Sequence, residues 1–153
     1  DAKKMLKTLP EDIQRIVEES EAKGDFDNPD YLAAMDLFYV NFLCRLDPWP
    51  DSILKAFDTM GMEVYNYMWG PSEFTATGTL RYHQVIDKLR DIRVPTLFTA
   101  GEFDEARPVT AAYYWSLVPG AEIHIVNDAS HTHHLEKPEE FNTIISWFMK
   151  RNE

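Results

Sequence analysis

The chain has 153 residues, 44% of them hydrophobic, and its 26 acidic against 15 basic side chains give a formal net charge of −11. A surface this acidic repels phosphate backbones and anionic headgroups, which excludes nucleic acid and anionic membranes as partners and leaves room for a cationic ligand. No apolar run approaches membrane-spanning length and none reads as a signal-peptide h-region, while the single Cys44 rules out an internal disulfide and fits a reducing, cytoplasmic compartment.

The chain opens helical. Asp1 to Lys7 is a short charged segment broken at Leu9-Pro10. Glu11 to Lys23 carries Ile13, Ile16 and Val17 on one stripe with acids elsewhere, and Gly24 closes it. Asn28-Pro29 has the form of an N-cap followed by proline at the first helical position. From there Leu32, Met35, Phe38, Phe42 and Leu46 recur at three- and four-residue spacing up to Pro48, which predicts one helix across that span. Asp51 is expected to cap a short helix through Phe57, and Met62 to Trp69 to form another. These segments predict an all-helical cap, or lid, over residues 1–80. The remaining residues, 81–153, are expected to belong to a different layer.

That second part has the pattern of a β-α-β unit. Thr96 to Ala100 is a short run apolar on both faces, as a covered parallel strand requires. Gly101 ends it, Val109 to Leu117 is long enough for a crossover helix, and Pro119-Gly120 stops that helix. Glu122 to Asn127 then alternates polar with apolar, which predicts a second, parallel strand joined by a right-handed crossover. Two parallel strands leave both outer edges bare and do not make a covered sheet by themselves, so these residues expect a partner surface.

In open α/β sheets reactive groups collect beyond the carboxyl ends of the strands. Asp104 falls just past the first strand and His131 just past the second. A carboxylate beside an imidazole is the orienting half of a catalytic triad: the acid fixes the tautomer and the histidine moves the proton. Other acids compete for that place. Glu102 is expected on the opposite side of the strand from Asp104, Glu105 is adjacent, and Asp128 sits close enough to His131 in sequence to serve a turn instead. His124, His131, His133 and His134 have no helical H-x-x-x-H spacing and no cysteine or spaced acid to complete a tetrahedral metal set. Glu136-Lys137-Pro138 is expected to start the last helix, with Glu136 structural and Phe141, Ile144, Ile145 and Phe148 facing the sheet.

PTLFTAGEFDEARP followed by PGAEIHIVNDASHTHHLEKPEEF resembles the C-terminal portion of proline iminopeptidases of the tricorn-interacting-factor type, which are α/β-hydrolases. The matching pieces are Gly101, Asp104-Glu105, Pro108, Pro119-Gly120, Ser130-His131 and Glu136-x-Pro138, with Gly70-Pro71-Ser72-Glu73-Phe74 upstream. The likeness runs over essentially the whole chain. It implies a serine aminopeptidase that releases N-terminal proline and other residues from short peptides without metal or organic cofactor. Asp104 and His131 would be catalytic, and Glu73 and Glu105 would bind the substrate's free amino group. It also implies association with a larger protease such as tricorn. The family usually has glycine before the catalytic histidine, where this chain has Ala129-Ser130.

None of the serines, Ser20, Ser52, Ser72, Ser116, Ser130 and Ser146, lies in a G-x-S-x-G elbow. In the α/β-hydrolase chain order the nucleophile precedes the acid and the histidine, so it is expected in an N-terminal half of the same enzyme, upstream of Asp1. Two other readings of the residues stay open: another lidded hydrolase acting on esters or epoxides, and a non-catalytic binding module on the same fold.

Overall fold

A computed structural model describes residues 1–153, which divide into two units. One unit, Ala2–Val40 with Leu46–Gln84, holds five helices: α1 (Ala2–Leu6), α2 (Glu11–Lys23), α3 (Pro29–Phe42, whose last two residues belong to the other unit), α4 (Asp51–Asp58) and α5 (Met62–Met68). The other, Val85–Glu153 with Asn41–Arg45 and Asp1, holds β1 (Leu97–Gly101), α6 (Pro108–Leu117), β2 (Glu122–Val126), α7 (His133–Glu136) and α8 (Pro138–Arg151). No helix is long and apolar enough to cross a membrane.

Local chemistry sets the helix limits. Gly24, in the left-handed region at φ 68°, ends α2 with a Schellman pair: its N–H reaches the Glu21 carbonyl and the Asp25 N–H reaches that of Ser20. The Asn28 side chain accepts the Asp30 N–H at 2.9 Å, with Pro29 at the first helical position of α3. Tyr31, Ala34, Met35 and Phe38 form the buried stripe of α3, whereas Leu32, expected there, is half exposed. Phe38 meets Phe74 edge to face at 5.0 Å between ring centres. Asp51 is the first residue of α4 and not its cap; Pro50 precedes the helix and its carbonyl takes the Ile53 N–H.

The helix α3 stops at Phe42, four residues short of the Leu46 that the periodicity allowed. The carbonyls of Phe42 and Leu43 are the reason. They accept N–H groups from residues 105, 131 and 132, on loops of the unit to which Asn41–Arg45 itself belongs, and so leave the helical ladder. Asn41–Arg45 therefore packs with the strands although it continues α3.

The expected β-α-β unit is present. β1 and β2 run parallel in the register Leu97↔Glu122 through Gly101↔Val126, with α6 crossing between them. Ala100, Val118 and Val126 are buried at its centre. Pro108 opens α6 at a position where its missing N–H costs nothing. The two-stranded sheet leaves both outer edges without a strand partner. Gly101 must lack a side chain, because a Cβ there would run into the carbonyl oxygens of Ala129 and Ser130 as the chain after β2 passes over the end of β1. On α8, Phe141, Ile144, Ile145 and Phe148 are the half-buried face, and Trp147 and Met149 stand exposed beside them. Glu136 does not start α8: it ends the separate short helix α7, and Pro138 opens α8.

Candidate active site

Asp104 lies in the turn immediately after β1, where its N–H bonds the Gly101 carbonyl. Its carboxylate folds back onto the backbone: Oδ2 accepts the Gly101 N–H at 3.3 Å and Oδ1 the Ala106 N–H at 2.8 Å. Oδ1 also lies 2.8 Å from Nδ1 of His131, which follows β2. Since a carboxylate accepts, this contact assigns the ring proton to Nδ1 and leaves the lone pair on Nε2. The Asp104 side chain is 4% exposed and that of His131 47%. The acid is thus held away from water by three hydrogen bonds while the base reaches the surface, the division of labour that an orienter and a proton carrier require.

The two loops are tied to one stretch of backbone. The Phe42 carbonyl accepts the N–H of both Glu105, at 3.3 Å, and His131, at 3.1 Å. The Leu43 carbonyl accepts the Thr132 N–H at 2.9 Å. The turn before His131 is braced as well. Asp128 sits at φ 51°, its N–H donates to Glu102 Oε2 at 2.9 Å, and its carboxylate pairs with Lys137 at 3.2 Å. Arg45 lies over the Phe103 ring at 4.2 Å. The competing acids are therefore placed: Glu102 and Asp128 serve the turn, and Asp104 holds the imidazole.

Ser130, fully buried next to His131, donates its N–H to both Glu136 oxygens at 3.1 and 3.2 Å and its hydroxyl to Oε1 at 2.6 Å. Removing that carboxylate would leave two buried donors without it, at a cost of about 1–3 kcal/mol for each. The other histidines take separate partners. His133 is buried between Thr99 Oγ1 and the Ser130 carbonyl, and His124 lies 2.9 Å from Glu140. Burial first, then the neighbouring His133 and His131, hold His134 below the ordinary imidazole range.

Of the remaining expected residues, Glu105 follows Asp104 on the same loop and Glu73 lies in the helical unit. Tyr65 donates its hydroxyl to Glu73 Oε1 at 2.8 Å. Val64, Tyr65, Met68, Trp69 and Leu80 line with Glu73 an open cavity of about 370 Å³ whose walls are almost wholly apolar. The loop carrying Glu73 is fastened by Glu21, which accepts the hydroxyls of Tyr31, at 2.7 Å, Ser72 and Thr75. Burial and then the bond to Glu21 keep the Tyr31 phenol well above its ordinary range.

Sequence reasoning missed Glu21, which reads as one more acid of α2 although it stands one turn beyond Val17 on the apolar stripe, the available signal. Glu136 is structural as expected, though its partner Ser130 carried no signal in the sequence.

No family model matches the chain. Among curated proteins it is 37% identical to the proline iminopeptidase of Heyndrickxia coagulans over 150 residues, covering 97% of this chain and 52% of that protein. It is 35% identical to that of Thermoplasma volcanium over 150 residues, covering 97% and 51%. Among solved structures, VinJ superposes with a TM-score of 0.92 at 35% identity, covering 99% of this chain and 52% of that one. The proline iminopeptidase of Mycobacterium smegmatis superposes with a TM-score of 0.89 at 37% identity, covering 99% and 51%. The chain spans about half the length of the curated relatives it matches.

Proposed function

We propose, on the premise that this chain is homologous to proline iminopeptidases and forms a portion of an α/β-hydrolase fold, that it supplies the acid, the base and the amine-binding groups of a serine aminopeptidase. The observation that carries the reading is the buried Asp104 carboxylate 2.8 Å from His131 Nδ1, beyond the ends of two adjacent parallel strands. The nucleophile belongs to a part of the enzyme outside these 153 residues, since no G-x-S-x-G occurs among them.

In this mechanism His131 Nε2 takes the proton of the serine hydroxyl as the oxygen attacks the carbonyl carbon of the substrate's first residue. Asp104 stabilises the imidazolium that forms. His131 then returns the proton to the departing amine, leaving an acyl-enzyme, and repeats the cycle with water to release the amino acid. Glu73 and Glu105 recognise the free amino group, an interaction that pays only for a cationic substrate and that suits an exopeptidase. The apolar cavity beside Glu73 suits a proline ring.

Residues 1–80 are the lid of this enzyme and 81–153 part of its core. Short peptides are the substrates, a larger protease such as tricorn is a fitting source of them, and the buried, single Cys44 is compatible with cytoplasmic conditions.

The test uses the full-length enzyme with prolyl-β-naphthylamide, its N-acetylated form and a small neutral ester. Cleavage of the free-amine substrate with loss of activity on the acetylated one supports an aminopeptidase. Equal turnover of both, or turnover of the ester only, identifies a different lidded hydrolase. No turnover of any of the three points to a binding module.

A further inference from the structure

We propose that Glu136 is a positioning residue for His131, acting through Ser130 and Thr132 on either side of it. The proposal rests on the reading of Asp104–His131 as the working dyad.

His131 has a side-chain anchor on one edge of its ring, the Asp104 carboxylate, and a backbone anchor at its N–H, the Phe42 carbonyl. The peptide planes on either side are held by backbone as well, through the Ser130 carbonyl to the His133 N–H at 3.1 Å and the Thr132 N–H to the Leu43 carbonyl at 2.9 Å, which leaves the Ser130 N–H and the two neighbouring hydroxyls to a side chain. Glu136 holds both flanks. Ser130, with no exposed surface, gives it an N–H shared between the two carboxylate oxygens and a hydroxyl at 2.6 Å. Thr132 Oγ1 lies 3.1 Å from Glu136 Oε1 and 2.9 Å from the Leu43 carbonyl, so its single proton serves one or the other. The carboxylate stands at the end of α7, whose first turn is closed onto the Thr132 carbonyl by the N–H groups of Leu135 and Glu136. Glu136 thus meets residues on both sides of His131 from the end of a short helix. This pattern offers more than an ordinary helix contact. Ser130, directly before His131, places its hydroxyl on Glu136.

A carboxylate in this place braces the residues on either side of His131, and through them the direction in which Nδ1 meets Asp104. Loosening it by an ångström is enough to misalign proton transfer, with losses on the order of a hundredfold. It also weakens the bond that favours the imidazolium, which lowers the pKa of His131.

The experiment compares the full-length enzyme with Glu136→Ala, Glu136→Gln and Ser130→Ala, well below each variant's melting temperature. Three readouts are taken: kcat and KM, the acid limb of the kcat/KM profile against pH, and the downfield proton NMR signal of the His131 Nδ1–H at low pH. For Glu136→Ala the expectation is a fall in kcat of about 10- to 100-fold with KM little changed, an acid limb moved to lower pH, and a weakened or exchange-broadened Nδ1–H signal. Glu136→Gln, which can still accept from Ser130, recovers most of the loss. If Glu136→Ala fails to fold, Ser130→Ala carries the test, with the same direction in all three readouts and a smaller size. A variant that only melts earlier, with kcat, acid limb and NMR signal at parental values, overturns the proposal. Because the NMR signal needs no substrate, its loss in Glu136→Ala upholds the proposal even if the parent enzyme proves inactive on amine substrates, which would count against the aminopeptidase reading alone.

Discussion

The Phe42 carbonyl binds the N–H of His131 at 3.1 Å and, through the same oxygen, that of Glu105 at 3.3 Å. One backbone oxygen thereby couples the loop after β1 to the loop after β2, and the dyad geometry follows from it. Asp104 sits next to one donor and His131 is the other, so the 2.8 Å contact between Oδ1 and Nδ1 is held from the backbone side as well as by the side chains.

The dyad gives the first prediction. In the full-length enzyme, His131→Ala should lower kcat on the order of 10⁴-fold or more if His131 is, as proposed, the base of both half-reactions. Asp104→Asn should cost comparably: an amide presents its N–H₂ or its weaker carbonyl to Nδ1 and favours the wrong tautomer. Asp128→Asn is the control, since Asp128 pairs with Lys137 and not with the ring. Loss of activity in Asp128→Asn with Asp104→Asn within tenfold of the parent would reverse the assignment of the acid.

Gly101 gives the second. Any Cβ there meets the Ala129 and Ser130 carbonyl oxygens, which are backbone atoms and cannot swing aside. Gly101→Val should destabilise by about 1–3 kcal/mol, the usual cost of overpacking, and lower kcat as well, since the displaced segment leads directly into His131. Thermal unfolding together with steady-state kinetics checks both halves; an unchanged melting temperature would show that the crossing of the two loops is looser than described.

A third concerns acid. The native state holds His134 below its ordinary pKa, through burial and the neighbouring imidazoles, while the unfolded chain restores it. As pH falls through the ordinary histidine range near 6.5 the unfolded state takes up the proton first, so stability present above that range is lost on the way down toward the native pKa. His134→Gln should flatten the dependence of denaturant stability on pH between about 7 and 5. A slope equal to the parent's would assign the acid sensitivity to other groups.

Much of this architecture is legible in the sequence because it depends on local chemistry. Gly24, Asn28-Pro29 and Pro108 fix helix ends through interactions within a few residues, and the β1–α6–β2 unit announces itself by a covered apolar run, a stretch long enough for a crossover helix and an alternating run, punctuated by Gly101 and Pro119-Gly120. Asp104 and His131 are legible for a related reason, since topology alone brings the ends of adjacent parallel strands together. The rest depends on contacts between distant segments. α3 ends at Phe42 because loops some sixty and ninety residues later in the chain claim the carbonyls of Phe42 and Leu43, and periodicity contains no trace of that. Leu32 keeps the spacing of the buried stripe and is half exposed, while Tyr31 is buried because Glu21 receives its hydroxyl. Glu21 looks like a surface acid until the hydroxyls of Tyr31, Ser72 and Thr75 are placed around it.

The last prediction separates an aminopeptidase from a generic hydrolase. Glu73 and Glu105 stand in different units, and the proposed role of each is to bind the substrate's ammonium. Each neutralisation would then remove one charge-assisted hydrogen bond, worth about 1.5–3 kcal/mol. Glu73→Gln and Glu105→Gln should therefore each lower kcat/KM for a free-amine substrate by roughly ten- to a hundredfold or somewhat more. A small neutral ester should be affected far less, because it carries no charge for the acids to meet. Glu105→Gln also alters the neighbour of Asp104, so Glu73→Gln is the cleaner of the two. Tyr65→Phe adds a graded control. It removes the hydroxyl that donates to Glu73 Oε1 at 2.8 Å while leaving the charge, so its effect should have the same selectivity for the amine substrate and a smaller size. Equal losses on amine and ester in Glu73→Gln would mean that Glu73 holds the loop and does not choose the substrate, and a selective loss in Tyr65→Phe with none in Glu73→Gln would transfer the recognition role from the carboxylate to the phenol.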